Sequence, residues 1–253
     1  MIIEFTGVPG SGKSTVSLVV RQTLRDLGLK AMLITEAGPC CLKRALLGSL
    51  ICLVTPRRWQ ERVLWSVFRR LIVVYQLKFA IQNRVLTRQA VSVLTRHQLP
   101  WRDRRSILRW FFRDAGYYQF FQKRLRSEEV LILDEGLVHR ATSFYTSASE
   151  EPDPLEVADY VKLLPRPDLV IGVQTLLDIC VARVSSRGGN RRYLDKDLVP
   201  FLVNSAKVIE IALQGIKGMG WDILEVKNNG KLDIDMEGLS HFLQNRGFLT
   251  FTA

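Results

Sequence analysis

Apolar residues run along this chain in two rhythms. Short continuous apolar runs occur in IIEF (2–5), KAMLITE (30–36), VLILDEG (130–136), DLVIGVQ (168–174) and WDILEV (221–226), the form of strands covered on both faces. Between them, apolar positions recur every three or four residues, the spacing of helices with one buried face. STVSLVVRQTLRDLG places Val16, Val19, Val20, Leu24 and Leu27 on one such face. KAMLITE reads as a strand ending at Glu36, followed by a turn at Ala37-Gly38-Pro39. A helical region then extends from about Cys40 to Arg126, with breaks near Pro56 and Pro100. Within it, Val63, Val67, Leu71, Val74, Leu77 and Ile81 recur at helical spacing. LVHRATSFY, LLDICVARVSSR, DLVPFLVNSAKVIEIALQGI and DMEGLSHFLQNR read as further helices, and SASEEPDP as an acidic surface link. Strands alternating with helices predict an α/β fold: a parallel sheet with right-handed crossovers and helices on both faces. The 253 residues suit one such domain, 1–253, with a helical insertion at 40–126.

Ligands of such sheets gather beyond the carboxyl ends of the strands. The first of those ends carries GVPGSGKST, Gly7 to Thr15. Its glycines permit a tight turn whose amides converge on an anion, and the following helix adds its N-terminal dipole. Lys13 supplies a point charge for β- and γ-phosphates, and the Ser14 hydroxyl suits Mg²⁺. Strand, glycine turn, Lys-Ser and helix together identify a phosphate-binding loop and set aside a merely structural turn. Gly7, Pro9, Gly10, Ser11, Gly12, Lys13, Ser14 and Thr15 form the candidate nucleotide-binding set.

Three other segments leave the same edge. Asp134 follows VLIL, where a carboxylate orients Mg²⁺ or caps a helix. Glu135 beside it is a carboxylate for an acceptor or for the surface. Glu36 is a candidate to accept a hydroxyl proton, with pairing to an arginine as the alternative. In RVSSRGGNRR, Arg183 and Arg187 share a helix face, and Arg191 follows the glycine pair. This pattern predicts an arginine lid over 183–197, catalytic through Arg183 and Arg187; a solvated basic helix end is the alternative.

Charge narrows the partner. The net charge is +11, and 19 of the 36 basic residues fall between Lys43 and Arg126, against only Glu61, Asp103 and Asp114. Three readings of this segment stay open: a solvated helical cap, a rim collecting an anionic acceptor, and a docking face for nucleic acid or an anionic membrane. The N-terminus reads as a strand without a basic leader, and Cys40, Cys41, Cys52 and Cys180 show no metal-type spacing. A cytoplasmic protein is expected, with the inner face of a membrane as one surface the basic segment suits. No Asn-Lys-x-Asp guanine reader accompanies the loop, which disfavours a nucleotide switch.

GVPGSGKST, ITEAGP, LILDEG, PDLVIGVQTLLDICVARVSSRGGNRR and ILEVKNNGK together resemble the P-loop nucleoside and nucleotide kinases, the thymidylate-kinase-like branch above all. The resemblance spans roughly 1–39 and 128–246 and leaves out the middle helices. It implies a three-layer fold with five parallel strands in the order 2-3-1-4-5 and an acceptor module between strands 2 and 3. It implies an ATP- and Mg²⁺-dependent phosphotransferase, moving the γ-phosphoryl to a hydroxyl or phosphate of a nucleotide-like or sugar-like metabolite. Kinases of glycan, lipid-linked or nucleic-acid termini are the neighbouring reading, and pairing as a homodimer is open. Lys13 and Ser14 would hold ATP and Mg²⁺, and Asn228 would lie near the adenine unless VKNNG is an ordinary turn. Thymidylate kinases carry Asp-Arg after the third strand, where this chain has Asp134-Glu135-Gly136. His139 and Arg140, a helical turn later, are candidates to restore the missing cation.

Overall fold

A computed structural model describes residues 1–96, 100–187, 197–230, 232–233 and 236–247. The five apolar runs form strands β1 (Ile2–Gly7), β2 (Lys30–Leu33), β3 (Glu129–Leu133), β4 (Leu169–Gln174) and β5 (Ile223–Asn228). They pair in parallel in the order β2-β3-β1-β4-β5, the order the resemblance implies. A short strand, β6 (Leu232–Asp233), adds to β5 in the antiparallel sense, an edge not expected from the sequence.

Helix α1 (Lys13–Asp26) follows the phosphate loop and buries Val16, Val20 and Leu24 against the sheet. Val19 and Leu27, expected on the same face, are exposed at 39% and 37%, because the buried stripe is narrower than the apolar one. The second strand stops at Leu33, three residues short of Glu36. Ile34 to Lys43 form α2, which contains the Ala37-Gly38-Pro39 expected as a turn. Glu36 at the third helical position accepts from the Leu33 amide (3.1 Å), a local cap that starts the helix early.

The insertion continues as α3 (Leu46–Val54), α4 (Arg57–Gln82), α5 (Arg84–Arg96) and α6 (Trp101–Phe121). Pro56 and Pro100 stand at the N-caps of α4 and α6, so both predicted breaks are real. The buried face of α4 is Leu64, Phe68, Ile72 and Phe79. Val74, Leu77 and Ile81, expected among the core-facing positions, are exposed instead. Phe68 stacks on Tyr117 and meets Phe120 edge-on, and Phe79 meets Phe111, so α4 and α6 lie antiparallel through an aromatic seam. Glu129, buried at the start of β3, receives Arg44 (2.8 Å) and Lys30 (3.1 Å), tying the root of the insertion to the sheet.

The remaining helices are α7 (Arg140–Tyr145), α8 (Pro154–Lys162), α9 (Leu177–Ser186), α10 (Leu198–Gly218) and α11 (Met236–Asn245). Among the described residues one helix, α10, is long and apolar enough to cross a membrane; its Val208, Ala212 and Ile216 are buried in the main core with Val170 of β4.

Candidate functional site

β1 delivers Gly7 to the carboxyl edge, where the Ser11 amide donates to the Val8 carbonyl (3.0 Å) and folds the chain back toward α1. Gly10 (φ 87°) and Gly12 (φ 86°) occupy the left-handed region. Space demands glycine at both as well. A Cβ on Gly10 would stand 2.7 Å from the Cys180 carbonyl, and one on Gly12 2.2 Å from Asn228 Nδ2.

Neighbouring elements hold the loop from behind. Asn228 Nδ2 donates to the Ser11 carbonyl (2.8 Å), and Thr175 Oγ1 donates to the same oxygen (3.0 Å). Arg183 Nη1, from α9, donates to the Gly10 carbonyl (3.2 Å). With those carbonyls turned back into the protein, the amides of Gly10, Gly12, Lys13 and Ser14 donate to no acceptor among the described residues. Converging, unpaired amides at a helix start form an anion cradle. Lys13 Nζ lies in it, donating to the carbonyls of Gly7 (3.0 Å) and Val8 (3.4 Å). Burial lowers its proton affinity, while the carboxylate of Glu135 acts in the other direction.

Ser14 and Thr15 are exposed on the first turn of α1, and Asp134 is exposed at the end of β3 with no ion pair among the described residues. Among the described residues no three carboxylate, imidazole or thiol groups assemble into a metal cluster. Ser14 and Asp134 each present an oxygen to solvent at this edge.

Beside the cradle lies a buried charge network. Arg140 is 3% exposed; its Nε donates to Asp114 Oδ2 (2.6 Å) and its Nη2 to Glu135 Oε2 (3.0 Å). The guanidinium lies 5.6 Å from the centre of the Trp110 ring, and Arg113 contacts the other Asp114 oxygen (3.1 Å). Burial opposes the Arg140 charge, but Asp114 and Glu135 outweigh it and raise its proton affinity. Burial likewise opposes charge on Glu135, yet His139, Arg140 and Lys13 hold its carboxyl well below the usual range. His139 Nε2 is 3.4 Å from Glu135, and the ring is buried. Burial, with Lys13 nearby, pushes His139 down to about 4, so it is neutral at pH 7. Of the two residues expected to restore a cation, Arg140 carries one and His139 does not.

Below this network Glu4 of β1, 1% exposed, accepts from the amides of Val138 (2.5 Å) and His139 (3.2 Å). Burial pushes its carboxyl up to about 7. A Cβ on Gly136 would meet the Glu4 carboxylate carbon at 2.4 Å, so only glycine admits this side chain.

The residues expected from sequence divide accordingly. The loop residues 7–15, Asp134 and Glu135 meet at one edge. Glu36 does not join them. Leu33 is level with Ile132 and hence with Ile3, four residues before Gly7, which sets the end of β2 about 13 Å below the loop. Arg21 and Arg25 on the flank of α1 take the Glu36 carboxylate. Asn228 is buried against the loop and shapes it from behind, in place of an open adenine contact. Arg183 is committed to the Gly10 carbonyl, and Arg187 is exposed at the C-cap of α9. Arg191 and most of the expected lid, 188–196, lie outside the described residues. Sequence reading missed Glu4, Asp114 and Thr175. Glu4 is a lone charge inside an apolar strand, and Asp114 a lone acid in the aromatic stretch WFFRDAGYYQFF; both were visible signals.

No model of a known protein family matches the chain, and no curated protein matches it. Among solved structures it is similar to thymidylate kinase of Candida albicans, with 18% identity, 98% of this chain and 92% of that chain covered, and a TM-score of 0.48. It is also similar to thymidylate kinase of Ehrlichia chaffeensis (14% identity, 97% and 95% covered, TM-score 0.43). A third similar structure is deoxyadenosine kinase of M. mycoides with bound dCTP (12% identity, 98% and 100% covered, TM-score 0.37). Likeness at this level assigns no substrate and no residue role to the chain.

Proposed function

We propose that the chain is an ATP- and Mg²⁺-dependent phosphotransferase that moves the γ-phosphoryl to a hydroxyl or phosphate of a small nucleotide-like or sugar-like molecule. The observation that carries this reading is the pairing of a braced anion cradle with an ionised carboxylate beside it. The carboxylate gives an acceptor hydroxyl a fixed hydrogen-bond partner beside the bound phosphates.

Transfer of a phosphoryl group requires placement, charge neutralisation and an aligned acceptor, with little covalent help from the protein. The amides from Gly10 to Ser14 and the Lys13 ammonium bind the phosphates in this reading. Ser14 and Asp134 hold Mg²⁺, which supplies neutralisation of the phosphate oxygens. Arg187, exposed at the C-cap of α9, is assigned to the moving group in this reading.

Glu135 takes the part first expected of Glu36. Its depressed proton affinity makes it a fixed hydrogen-bond acceptor that aims the acceptor hydroxyl at the γ-phosphorus. The oxygen–phosphorus bond to the acceptor forms as the bond to the β-phosphate oxygen breaks, and the hydroxyl proton passes last to an oxygen of the transferred phosphoryl group and from there to water. Arg140 holds Glu135 in place, and Asp114 holds Arg140. A polar or anionic acceptor entering between the basic helices and the sheet meets this chain of charges.

The test is ³¹P detection of a new product from ATP, Mg²⁺ and panels of nucleosides, nucleotides and sugar phosphates. A product that requires the acceptor and disappears in Lys13→Ala supports the proposal. ADP release indifferent to every acceptor and stimulated by RNA or DNA would instead make the chain a nucleic-acid-dependent NTPase.

A further inference from the structure

Helix α3 presents an apolar face to solvent. Leu46, Leu53 and Val54 are exposed at 88%, 83% and 80%, and Leu47 and Leu50 at more than half. All five fall on one side of the helix, since they are spaced 0, 1, 4, 7 and 8 residues apart. The opposite side is committed. Gly48 is buried so closely on the end of α2 that a Cβ would lie 1.9 Å from the Leu42 carbonyl, and Ile51 and Cys52 pack on the core. This contact turns α3 off α2 at 91° and fixes which face points outward. Gln60 adds hydrogen bonds to the carbonyls of Cys52 (2.8 Å) and Thr55 (3.1 Å), closing the corner onto α4.

The rim of this face is cationic. Lys43 ends α2, and Arg57, Arg58 and Arg62 lie in the first two turns of α4; all four are exposed. Arg58 and Arg62 lie over the half-exposed Trp59 ring at 6.0 and 5.2 Å. From Lys43 through Gln60 no acidic residue occurs, and Glu61 is the first.

We propose that α3 and the first turns of α4 dock the chain on an anionic phospholipid surface, with the α3 leucines entering the boundary between headgroups and acyl chains. Nine residues of helix reach about 14 Å, half the hydrocarbon thickness, so α3 lies in the interface and does not span it. Apolar face, cationic rim and a tryptophan at the edge are the three components of interfacial binding. A second copy fits less well. A two-fold contact through this face would set the basic rim against itself, whereas an anionic bilayer complements it.

The full chain is to be sedimented with vesicles of phosphatidylcholine alone, and with vesicles in which about a third is phosphatidylglycerol. Pelleting with the anionic vesicles is expected, with binding about tenfold or more weaker to neutral ones. Leu50→Glu with Leu53→Glu should lower binding to anionic vesicles by about tenfold or more, with thermal melting unchanged because both side chains are exposed. Arg57→Glu with Arg58→Glu should lower it by about tenfold and flatten its dependence on salt, since fewer charges then contact the surface. Absence of pelleting overturns the proposal, as does pelleting that both pairs of substitutions leave intact. A lipid-free dimer that the leucine substitutions convert to a monomer, without vesicle binding, identifies the face as a subunit interface and likewise overturns it.

Discussion

Arg140 and Asp114 are joined by a 2.6 Å hydrogen bond in a setting where both are nearly sealed from water. One residue follows the third strand and the other belongs to the helical insertion, so this bond fastens the insertion to the edge of the sheet that carries the phosphate loop. Removing Asp114 leaves the buried Arg140 with Glu135 as its remaining carboxylate and removes the nearer of its two partners. Asp114→Leu is expected to destabilise the fold by about 3–5 kcal/mol, measured by urea unfolding. Asp114→Leu combined with Arg140→Met should recover most of that loss. A double variant as unstable as the sum of its parts would show that the two do not act as a pair.

Lys13→Ala removes the ammonium from the cradle and leaves the strand and helix around it in place. Product formation should fall by about a hundredfold or more, of the order seen when one charge-stabilising donor is lost. Rates of acceptor-dependent ADP release decide this, with circular dichroism confirming an unchanged fold.

Asn228→Ala deletes one of two side-chain bonds to the Ser11 carbonyl and touches no phosphate in the proposed reading. Loss of about 1 kcal/mol of loop order is expected, equal to roughly five- to tenfold weaker ATP binding by calorimetry. Undiminished affinity would leave Thr175 as a sufficient brace.

Arg183 and Arg187 should separate. Arg183 is bonded to the loop, so Arg183→Ala is expected to weaken nucleotide binding. Arg187→Ala should preserve binding and lower turnover by about a hundredfold or more, as an arginine acting on the moving phosphoryl does. Single-turnover rates and equilibrium affinities measured side by side distinguish the two.

Glu4 and His139 make opposite demands on pH. Burial pushes Glu4 up from 4.5 to about 7, so from pH 4.5 to 7 the folded chain keeps a proton that the unfolded chain has lost. Stability through this group falls as pH rises. His139 is pushed down from 6.5 to about 4, so between those values the unfolded chain binds a proton that the folded chain refuses, and stability through this group rises with pH. The slopes oppose each other between pH 4.5 and 6.5. Glu4→Gln should therefore add a rise of about 3 kcal/mol, relative to the parent chain, between pH 4.5 and 7. His139→Gln should add a fall of similar size between pH 4 and 6.5. Parallel stability profiles for the parent and both variants would exclude this balance.

How far the sequence disclosed the molecule depended on how far apart the determinants lie. The phosphate loop was legible because nine consecutive residues specify it, and the strand order followed through the family that loop resembles. Glu36 was misplaced because the end of β2 is set by its register on β3 and by a local cap at Leu33, which a run of apolar letters does not encode. The face of α4 was misjudged for another reason: Leu64, Phe68, Ile72 and Phe79 offer as good a stripe as Val67, Val74, Leu77 and Ile81. Periodicity cannot choose between two apolar faces of one helix. The Arg140 network escaped because Asp114 lies 26 residues from its partner, and Glu4 stands 134 residues from the amide it accepts.

The absent side chain of Gly136 is the condition on which an acid at position 4 depends. With any larger residue at 136, the acid on the first strand has nowhere to stand, and the amides of Val138 and His139 lose their acceptor. Among descendants of this sequence, replacement of Gly136 should be accompanied by a smaller residue at position 4, whereas position 4 is free to change alone.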